Sequence, residues 1–176
     1  SVFALFAFVL LVVGGYGYVN QPEQVPPWNQ VIPGFAFSPY QAGQSPIDNI
    51  EPKVEDINRD LSLLAGKTLA IRTYTVAGIF GEIPALAKTH NINVALGAWL
   101  SPDLQANEKE LDRLLSVAHS PPYNVVRLIA GNEALLREDL NLTQMIAYLD
   151  KVRSATDIPV STAEPWPVWL KNPELA

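Results

Sequence analysis

An amide and a carboxyl group stand side by side at Asn132 and Glu133, directly after the apolar run of residues 125–130. Such a run is typical of a buried parallel strand, so the two polar side chains fall where that strand opens into a loop. In a barrel of alternating strands and helices, catalytic groups lie at this end of the strands. Glu133 is therefore the best candidate for a catalytic acid, and Asn132 is a candidate for binding substrate.

The other predicted strands also end in aromatic and polar side chains. Flat rings stack on the apolar faces of pyranose sugars while Asn, Glu and Arg hydrogen-bond the hydroxyls, so the set predicts a carbohydrate site. For each aromatic taken alone, packing in the core or at the barrel mouth explains it equally well, and for Arg72 so does a buried ion pair. The candidate substrate-binding residues are Tyr40, Arg72, Tyr74, Trp99, Asn132, Glu164 and Trp166.

Strand-like apolar runs alternate along the chain with segments in which apolar residues recur at helical spacing. The helical segments fall between residues 54 and 64, 79 and 87, 104 and 118, and 142 and 152. This order predicts βα units around a parallel sheet, with strands apolar on both faces because both are covered. We predict strands over residues 35–40, 68–76, 93–100, 125–133 and 159–164.

The same alternation fits a doubly wound sheet and a barrel. No glycine-rich phosphate-binding loop follows the first strand, where Ser38, Pro39 and Tyr40 stand instead, so a nucleotide-binding sheet is disfavoured. The predicted fold class is α/β, a (β/α)8 TIM barrel. Such a barrel needs eight strands in about 250 residues, whereas only about five βα units are visible in the sequence. We therefore expect the N-terminal part of a barrel.

Three segments of different composition suggest the domain organisation. Residues 1–19 carry no charge, which predicts a transmembrane or signal-anchor helix with Tyr16 and Tyr18 near the membrane interface. A cleaved signal peptide and a buried helix of the domain are the alternatives. Residues 20–33 contain four prolines and predict an extended tether. The barrel domain is expected to occupy residues 34–176.

Composition argues against several classes of function. The net charge of −6 and the lack of Lys/Arg clusters argue against a nucleic-acid partner, which would need a basic face. Because the chain has no cysteine, thiol nucleophiles, disulfides and Cys-ligated metals are excluded. His90 and His119 fall near predicted helix ends with no partner at ligand spacing, which favours surface residues over metal ligands. We expect no metal and no organic cofactor.

Four segments together resemble the bacterial branch of glycoside hydrolase family 17. They are residues 34–40 (GFAFSPY), 70–74 (AIRTY), 131–133 (GNE) and 161–166 (STAEPW), and the resemblance covers residues 34–176. It implies a (β/α)8 barrel that acts on β-1,3-glucan by a retaining mechanism, with Glu133 as general acid/base. It further implies that Glu164 binds substrate and that the nucleophile is a Glu after a seventh strand, expected beyond Ala176.

The leading interpretation is a membrane-anchored β-1,3-glucan hydrolase with its catalytic domain on the periplasmic or extracellular side. A fused glycosyltransferase domain in the same polypeptide fits the family resemblance. A retaining enzyme uses two carboxylates about 5–5.5 Å apart. Because the second of them is expected beyond Ala176, we expect the 176 residues alone to be inactive.

Two other interpretations remain open. One is a β-1,3-glucan transglycosylase in a membrane glucan-synthesis protein, which shares every residue named above with the hydrolase. The other is a carbohydrate-binding remnant without catalysis, which keeps the aromatic edge alone. An unrelated barrel enzyme acting on small metabolites is disfavoured by that same edge.

Overall fold

The computed structural model describes residues 1–22, 30–48 and 50–175. It divides the chain into two compact units, residues 1–30 and residues 31–176. Within the proposed tether, Pro26 and Pro27 lie outside the described residues.

In the part of the first unit that the structure describes, residues 1–22 and 30, there is one helix, α1 (Val2–Val19), with no buried residue. Its mean hydropathy is 2.3, which makes it long and apolar enough to cross a membrane. A signal sequence near an N-terminus has the same length and composition. The helix is therefore weak evidence for a membrane segment.

The second unit is a five-stranded parallel sheet whose strands are separated by helices. The strands are β1 (Phe35–Ala36), β2 (Ala70–Arg72), β3 (Asn93–Ala98), β4 (Val125–Asn132) and β5 (Val160–Ala163). The α-helices are α2 (Val54–Leu64), α3 (Ile83–Thr89), α4 (Leu104–Ala118), α5 (Leu142–Ser154) and α6 (Trp166–Lys171). Short 3₁₀ segments at Gly78–Glu82 and Pro173–Leu175 complete the described elements.

The strands lie in the sheet in the order β1-β2-β3-β4-β5, which is their order in the chain. All four neighbouring pairs are parallel. A doubly wound sheet reverses its strand order at a switch point, and this sheet does not. The sequential order is that of a (β/α) barrel, and it brings the C-terminal ends of the strands to one edge.

Local signals in the sequence explain where the longer helices begin. Asp103 caps α4 by accepting hydrogen bonds from the backbone amides of Gln105 and Ala106. Asn141 and Gln144 form a capping box at the start of α5. The buried stripe of each helix then packs on the sheet, where Leu96 and Leu128 are fully buried.

The structure departs from the sequence predictions in three ways. The first two strands are shorter than predicted, β1 with two residues rather than six and β2 with three rather than nine, and the segment after β5, where no helix was predicted, contains the short helix α6. The two faces of the sheet are also not equally covered: Val94 and Leu96 are buried, Ala95 between them is half-buried, and Arg127, paired with Ala95, is exposed. Side chains on that second face therefore have fewer apolar neighbours than a closed barrel would give them.

Candidate active site

Glu133 follows the last residue of β4 in a backbone conformation that few non-glycine residues adopt. Its φ is +55°, in the left-handed region. Its backbone N–H donates to the carbonyl of Ala163 on β5, at 2.7 Å, and its side chain is exposed. Backbone strain of this kind concentrates at functional sites because the surrounding structure maintains it. The carboxyl group thus stands free at the sheet edge, directly beside Asn132.

Arg72 at the end of β2 fixes the amide of Asn132 at the end of β4. The Arg72 Nη2 donates to Asn132 Oδ1 at 2.6 Å, which leaves the Asn132 Nδ2 group to donate elsewhere. The same guanidinium lies over the ring of Tyr74, with Cζ 4.7 Å from the ring centroid. Within the described residues Arg72 makes no ion pair, and its buried Nε has no hydrogen-bond partner. That N–H is free for an acceptor that these residues do not supply.

A cavity of about 680 Å³ opens at the same edge of the sheet. Three of the predicted substrate-binding aromatics, Tyr40, Tyr74 and Trp99, line it, together with the carboxylate-bearing Glu51. This size and this mixture of rings with a few polar groups are typical of small-ligand sites. The remaining lining residues are Ser38, Pro46, Ile47, Thr75, Ala77 and Phe80.

The phenol of Tyr40 remains neutral over a wider pH range than a free tyrosine. Burial raises its pKa above the ordinary value, and the nearby charge of Glu51 raises the pKa further. The Tyr40 ring also packs against Phe80, with centroids 5.5 Å apart. Tyr40 therefore offers the cavity a hydroxyl that can donate as well as accept a hydrogen bond.

Glu164 and Trp166, like Arg72, Asn132 and Glu133, are not among the residues that line the cavity. Both oxygens of the Glu164 carboxylate accept backbone amides of the loop after β4, from Leu135 at 2.9 Å and Leu136 at 3.3 Å. Trp166, the first residue of α6, is 72% exposed, whereas Trp169 in the same helix packs on the core and donates its Nε1–H to the carbonyl of Glu164. Glu164 thus holds the loop that carries Glu133.

Sequence reasoning missed Glu110, which joins the loops after β2 and β3. Its Oε1 accepts hydrogen bonds from the Thr75 hydroxyl at 2.6 Å, the Val76 amide at 2.9 Å and the Trp99 amide at 3.2 Å. A signal was present, because residue 110 lies next to the buried stripe of α4, beside Leu111. A carboxylate at that position needs hydrogen-bond donors from the sheet side.

Arg137, in the loop after β4, was also missed. Its guanidinium lies over the Trp99 ring and donates to the carbonyl of Asn132. No periodicity or motif in the sequence marks this residue, because the contact depends on how the loop folds back. Arg72 and Arg137 thus each connect a cavity aromatic with the end of β4.

The two histidines lie away from this edge. His90 contacts the Asn58 side chain at 2.9 Å, and His119 contacts the Thr156 hydroxyl at 3.2 Å. Among residues 1–22, 30–48 and 50–175, no cluster of three or more His, Asp or Glu side chains could hold a metal ion.

Comparison with known proteins gives a family match over nearly all of the second unit. The model of the BtgE/BtgC glycoside hydrolase domain matches residues 34–176. A glucan endo-1,3-beta-glucosidase from Emericella nidulans is 25% identical over 152 residues, which are 77% of this chain and 23% of that protein. The chain thus spans about a quarter of the length of the fungal relatives it matches.

Solved structures share the fold at low sequence identity. One is a glycoside hydrolase family 17 β-1,3-glucanosyltransferase from Rhizomucor miehei, 22% identical, with a TM-score of 0.63 over 77% of this chain and 50% of that one. An active-site mutant of the same enzyme is known in complex with laminaritriose. An endo-laminarinase from Formosa is 16% identical, also with a TM-score of 0.63, over 78% of this chain and 43% of that one.

Proposed function

The chain belongs to the BtgE/BtgC glycoside hydrolase family, and from that premise we propose that it carries the general acid/base of a retaining enzyme acting on β-1,3-glucan. The resemblance to glycoside hydrolase family 17 drawn from the four sequence segments is confirmed, as is a glycosidase family. Glu133 is the proposed acid/base. The second carboxylate of the pair, a Glu after a seventh strand in the family pattern, would lie outside residues 1–176.

One observation carries the proposal: an exposed carboxyl group stands beside an amide that is already oriented, at the edge where the aromatic cavity opens. Arg72 occupies the Oδ1 atom of Asn132, so Nδ2 points its hydrogens elsewhere. Glu133 is the next residue, and its backbone is held by Ala163. An amide donor beside a carboxylic acid matches what glycoside hydrolysis needs at the sugar undergoing reaction.

The proposed chemistry has two steps. In the first, the Glu133 carboxylic acid donates its proton to the glycosidic oxygen while the second carboxylate attacks the anomeric carbon and the leaving sugar departs. In the second, the Glu133 carboxylate accepts a proton from water, which attacks the anomeric carbon and releases the enzyme carboxylate. The Asn132 amide donates to the oxygen of the sugar 2-hydroxyl, a position where hydrogen bonds contribute most in the transition state.

The substrate-binding role of the other predicted residues follows from where they lie. Tyr40, Tyr74 and Trp99 present rings to the cavity, where they would stack on glucosyl units. Glu164 keeps a second lone pair on each oxygen for a sugar hydroxyl after accepting the amides of Leu135 and Leu136. Trp166 is exposed and would contact a longer glucan only beyond the cavity.

The test compares Glu133→Gln with Glu138→Gln in the full-length gene product. Glu138 is an exposed carboxylate in the same loop, also with positive φ, and so makes a matched control. We expect Glu133→Gln to lower kcat on laminarin by about 10²–10⁴-fold while oligosaccharide binding persists. With aryl glucosides that have an acidic phenol leaving group, Glu133→Gln should recover part of the rate of the first step, because that leaving group departs without a proton from the enzyme. Unchanged hydrolysis by Glu133→Gln would refute the assignment.

Transglycosylation is the second candidate, supported by the fold shared with the Rhizomucor glucanosyltransferase. In that case a sugar hydroxyl replaces water in the second step and Glu133 takes its proton. Incubation with a single laminarioligosaccharide separates the two activities, because a transglycosylase makes products longer than the substrate. A carbohydrate-binding remnant would bind the oligosaccharide and release no product in either assay.

We propose further that residues 1–19 are a membrane anchor, residues 20–33 a tether and residues 34–176 the barrel domain. In this organisation α1 anchors the domain in a membrane, and the sheet unit lies on the periplasmic or extracellular side. Support comes from its 18 uncharged residues, which span about 27 Å at the helical rise of about 1.5 Å each. N-terminal sequencing of the mature protein from washed membranes tests this. A retained α1 supports an anchor, while a first residue after Val19 means a cleaved signal. Mass analysis of the same sample shows whether the polypeptide also contains a fused glycosyltransferase domain.

A further inference from the structure

Arg137 connects the residue after β3 with the last residue of β4. Its Cζ lies 4.4 Å from the centroid of the Trp99 ring. Its Nη1 donates to the carbonyl of Asn132, and its Nη2 donates to the carbonyl of Leu100 at 3.1 Å. One half-buried side chain therefore contacts a cavity aromatic and the backbone beside Glu133.

Asp139 fixes the plane of that guanidinium. Its Oδ2 accepts from Arg137 Nε at 2.8 Å and lies 2.6 Å from Nη2, in a pair whose side chains are 29% and 19% exposed. Backbone hydrogen bonds close the loop itself, among them those from Arg137 N–H to the Glu133 carbonyl and from Asp139 N–H to the Ala134 carbonyl. With two donors in one fork and the loop closed, the guanidinium has little freedom to leave the Trp99 ring.

This contact leaves Trp99 with two unequal faces. The guanidinium covers one face of the indole, and Trp99 is still 42% exposed and lines the cavity. Arg137 is not among the residues that line the cavity, so a ligand there would contact the ring rather than the guanidinium. A ring backed by a fixed cation keeps one orientation, and its open face remains for the apolar face of a sugar.

We propose that Arg137 is a positioning residue for glucan recognition: it holds Trp99 as a one-sided stacking platform in register with the Asn132–Glu133 loop. The proposal rests on the proposed function, since it takes the cavity ligand to be a glucosyl unit. Arg137 acts through Trp99 and need not touch the substrate. Removal of the Arg137 side chain should weaken glucan binding because the Trp99 ring is no longer held in place. In a protein that lacks the Trp99 ring, removal of Arg137 should have no further effect on binding.

The first experiment needs no ligand. The full-length gene product is labelled with fluorotryptophan, and Trp99→Phe assigns the Trp99 fluorine resonance. We expect Arg137→Ala to shift or broaden that resonance, because the indole loses its backing and becomes mobile. Arg153→Ala is the matched control, since Arg153 also pairs with an Asp and donates to a backbone carbonyl, outside the cavity. A Trp99 resonance unchanged in Arg137→Ala overturns the contact.

The second experiment measures laminarioligosaccharide affinity by calorimetry in a double-mutant cycle. We expect Arg137→Ala to weaken binding by about three- to tenfold, and to have no further effect in a Trp99→Ala background. Arg137→Lys keeps the positive charge but loses the planar guanidinium, so its affinity for the oligosaccharide should lie between those of the wild type and Arg137→Ala. An Arg137→Ala effect that is equally large without Trp99 overturns the positioning role.

The two proposals fail in different ways. If the wild-type protein binds no laminarioligosaccharide, the proposed function fails while the fluorine resonance still reports on the Arg137–Trp99 contact. If the wild type binds and Arg137→Ala binds equally well, the inference fails and the proposed function stands. Thermal unfolding of each variant identifies one that has lost its fold, and Arg137→Lys then replaces Arg137→Ala in the cycle.

Discussion

Arg72 and Asn132, which lie on strands separated by β3, are joined by a hydrogen bond of 2.6 Å. Arg72 pairs in register with Ala95 of β3, and the next residue on the same face of that strand is Gly97. These small residues leave room for the arginine to reach across the strand. The bond therefore depends on β3 presenting almost no side chain between the two.

This relationship predicts a selective loss of catalysis in Arg72→Lys. Lysine keeps the positive charge but loses the planar group that both donates to Asn132 and stacks on Tyr74. We expect kcat on laminarin to fall by about tenfold or more while Kd changes less, because the orientation of the Asn132 amide matters most in the transition state. Arg59→Lys on the exposed side of α2 is the control. Equal losses in kcat and in affinity would contradict the prediction.

Glu110 should hold the loops after β2 and β3 in place. Because Glu110→Ala removes the acceptor of three hydrogen bonds, we expect the free energy of unfolding to fall by about 2–3 kcal/mol. We also expect faster hydrogen exchange at the Val76 and Trp99 amides. Glu110→Gln keeps an acceptor oxygen and should recover part of both. Lys109→Ala, exposed on the same helix, should leave exchange at those amides unchanged.

Gly97 should be irreplaceable because β2 and β3 approach closely there. A Cβ at residue 97 would lie 2.2 Å from the carbonyl oxygen of Thr73, so the backbone would have to move. We expect Gly97→Ala to destabilise the sheet by about 3 kcal/mol or more, measured by thermal unfolding with circular dichroism. Gly34→Ala is the matched control, because its nearest contact would be 3.4 Å from Ala70. Similar melting curves for the two variants would show that the strands can separate at no cost.

Tyr40 provides a pH test of the cavity. Its raised pKa means that the folded state favours the neutral phenol over the phenolate. The neutral Tyr40 therefore contributes to the stability of the folded state, and this contribution is fully present below the ordinary pKa of about 10. The contribution is lost as pH rises through the raised value. The difference in near-ultraviolet absorbance between wild type and Tyr40→Phe isolates this titration. Glu51→Gln should lower its midpoint, whereas Glu55→Gln should not. An unchanged midpoint in Glu51→Gln would show that burial alone sets the pKa.

Much of the fold could be predicted because its signals are local. Each of the five predicted strands contains an observed strand, and α4 and α5 begin directly after Asp103 and Asn141, whose side chains cap nearby amides. The length of β1 and the helix at Trp166 could not be predicted. A two-residue strand exists only through its pairing with β2, and a helix of one or two turns depends on packing more than on propensity.

The sequence by itself determined which residues stand at the ends of the strands. Apolar periodicity, helix caps and the alternation of strands with helices along the chain depend on residues that are close together in the sequence. It placed Glu133 beside Asn132, and it placed Tyr40, Tyr74 and Trp99 at the edge where the cavity opens. Only the tertiary structure decided which partners meet. The contacts of Arg72 with Asn132, of Glu110 with Trp99 and of Arg137 with Trp99 depend on strand register and loop closure. A hydrogen bond requires donor and acceptor atoms to lie within about 3 Å with good alignment, and no pattern of residue types along a chain carries that precision.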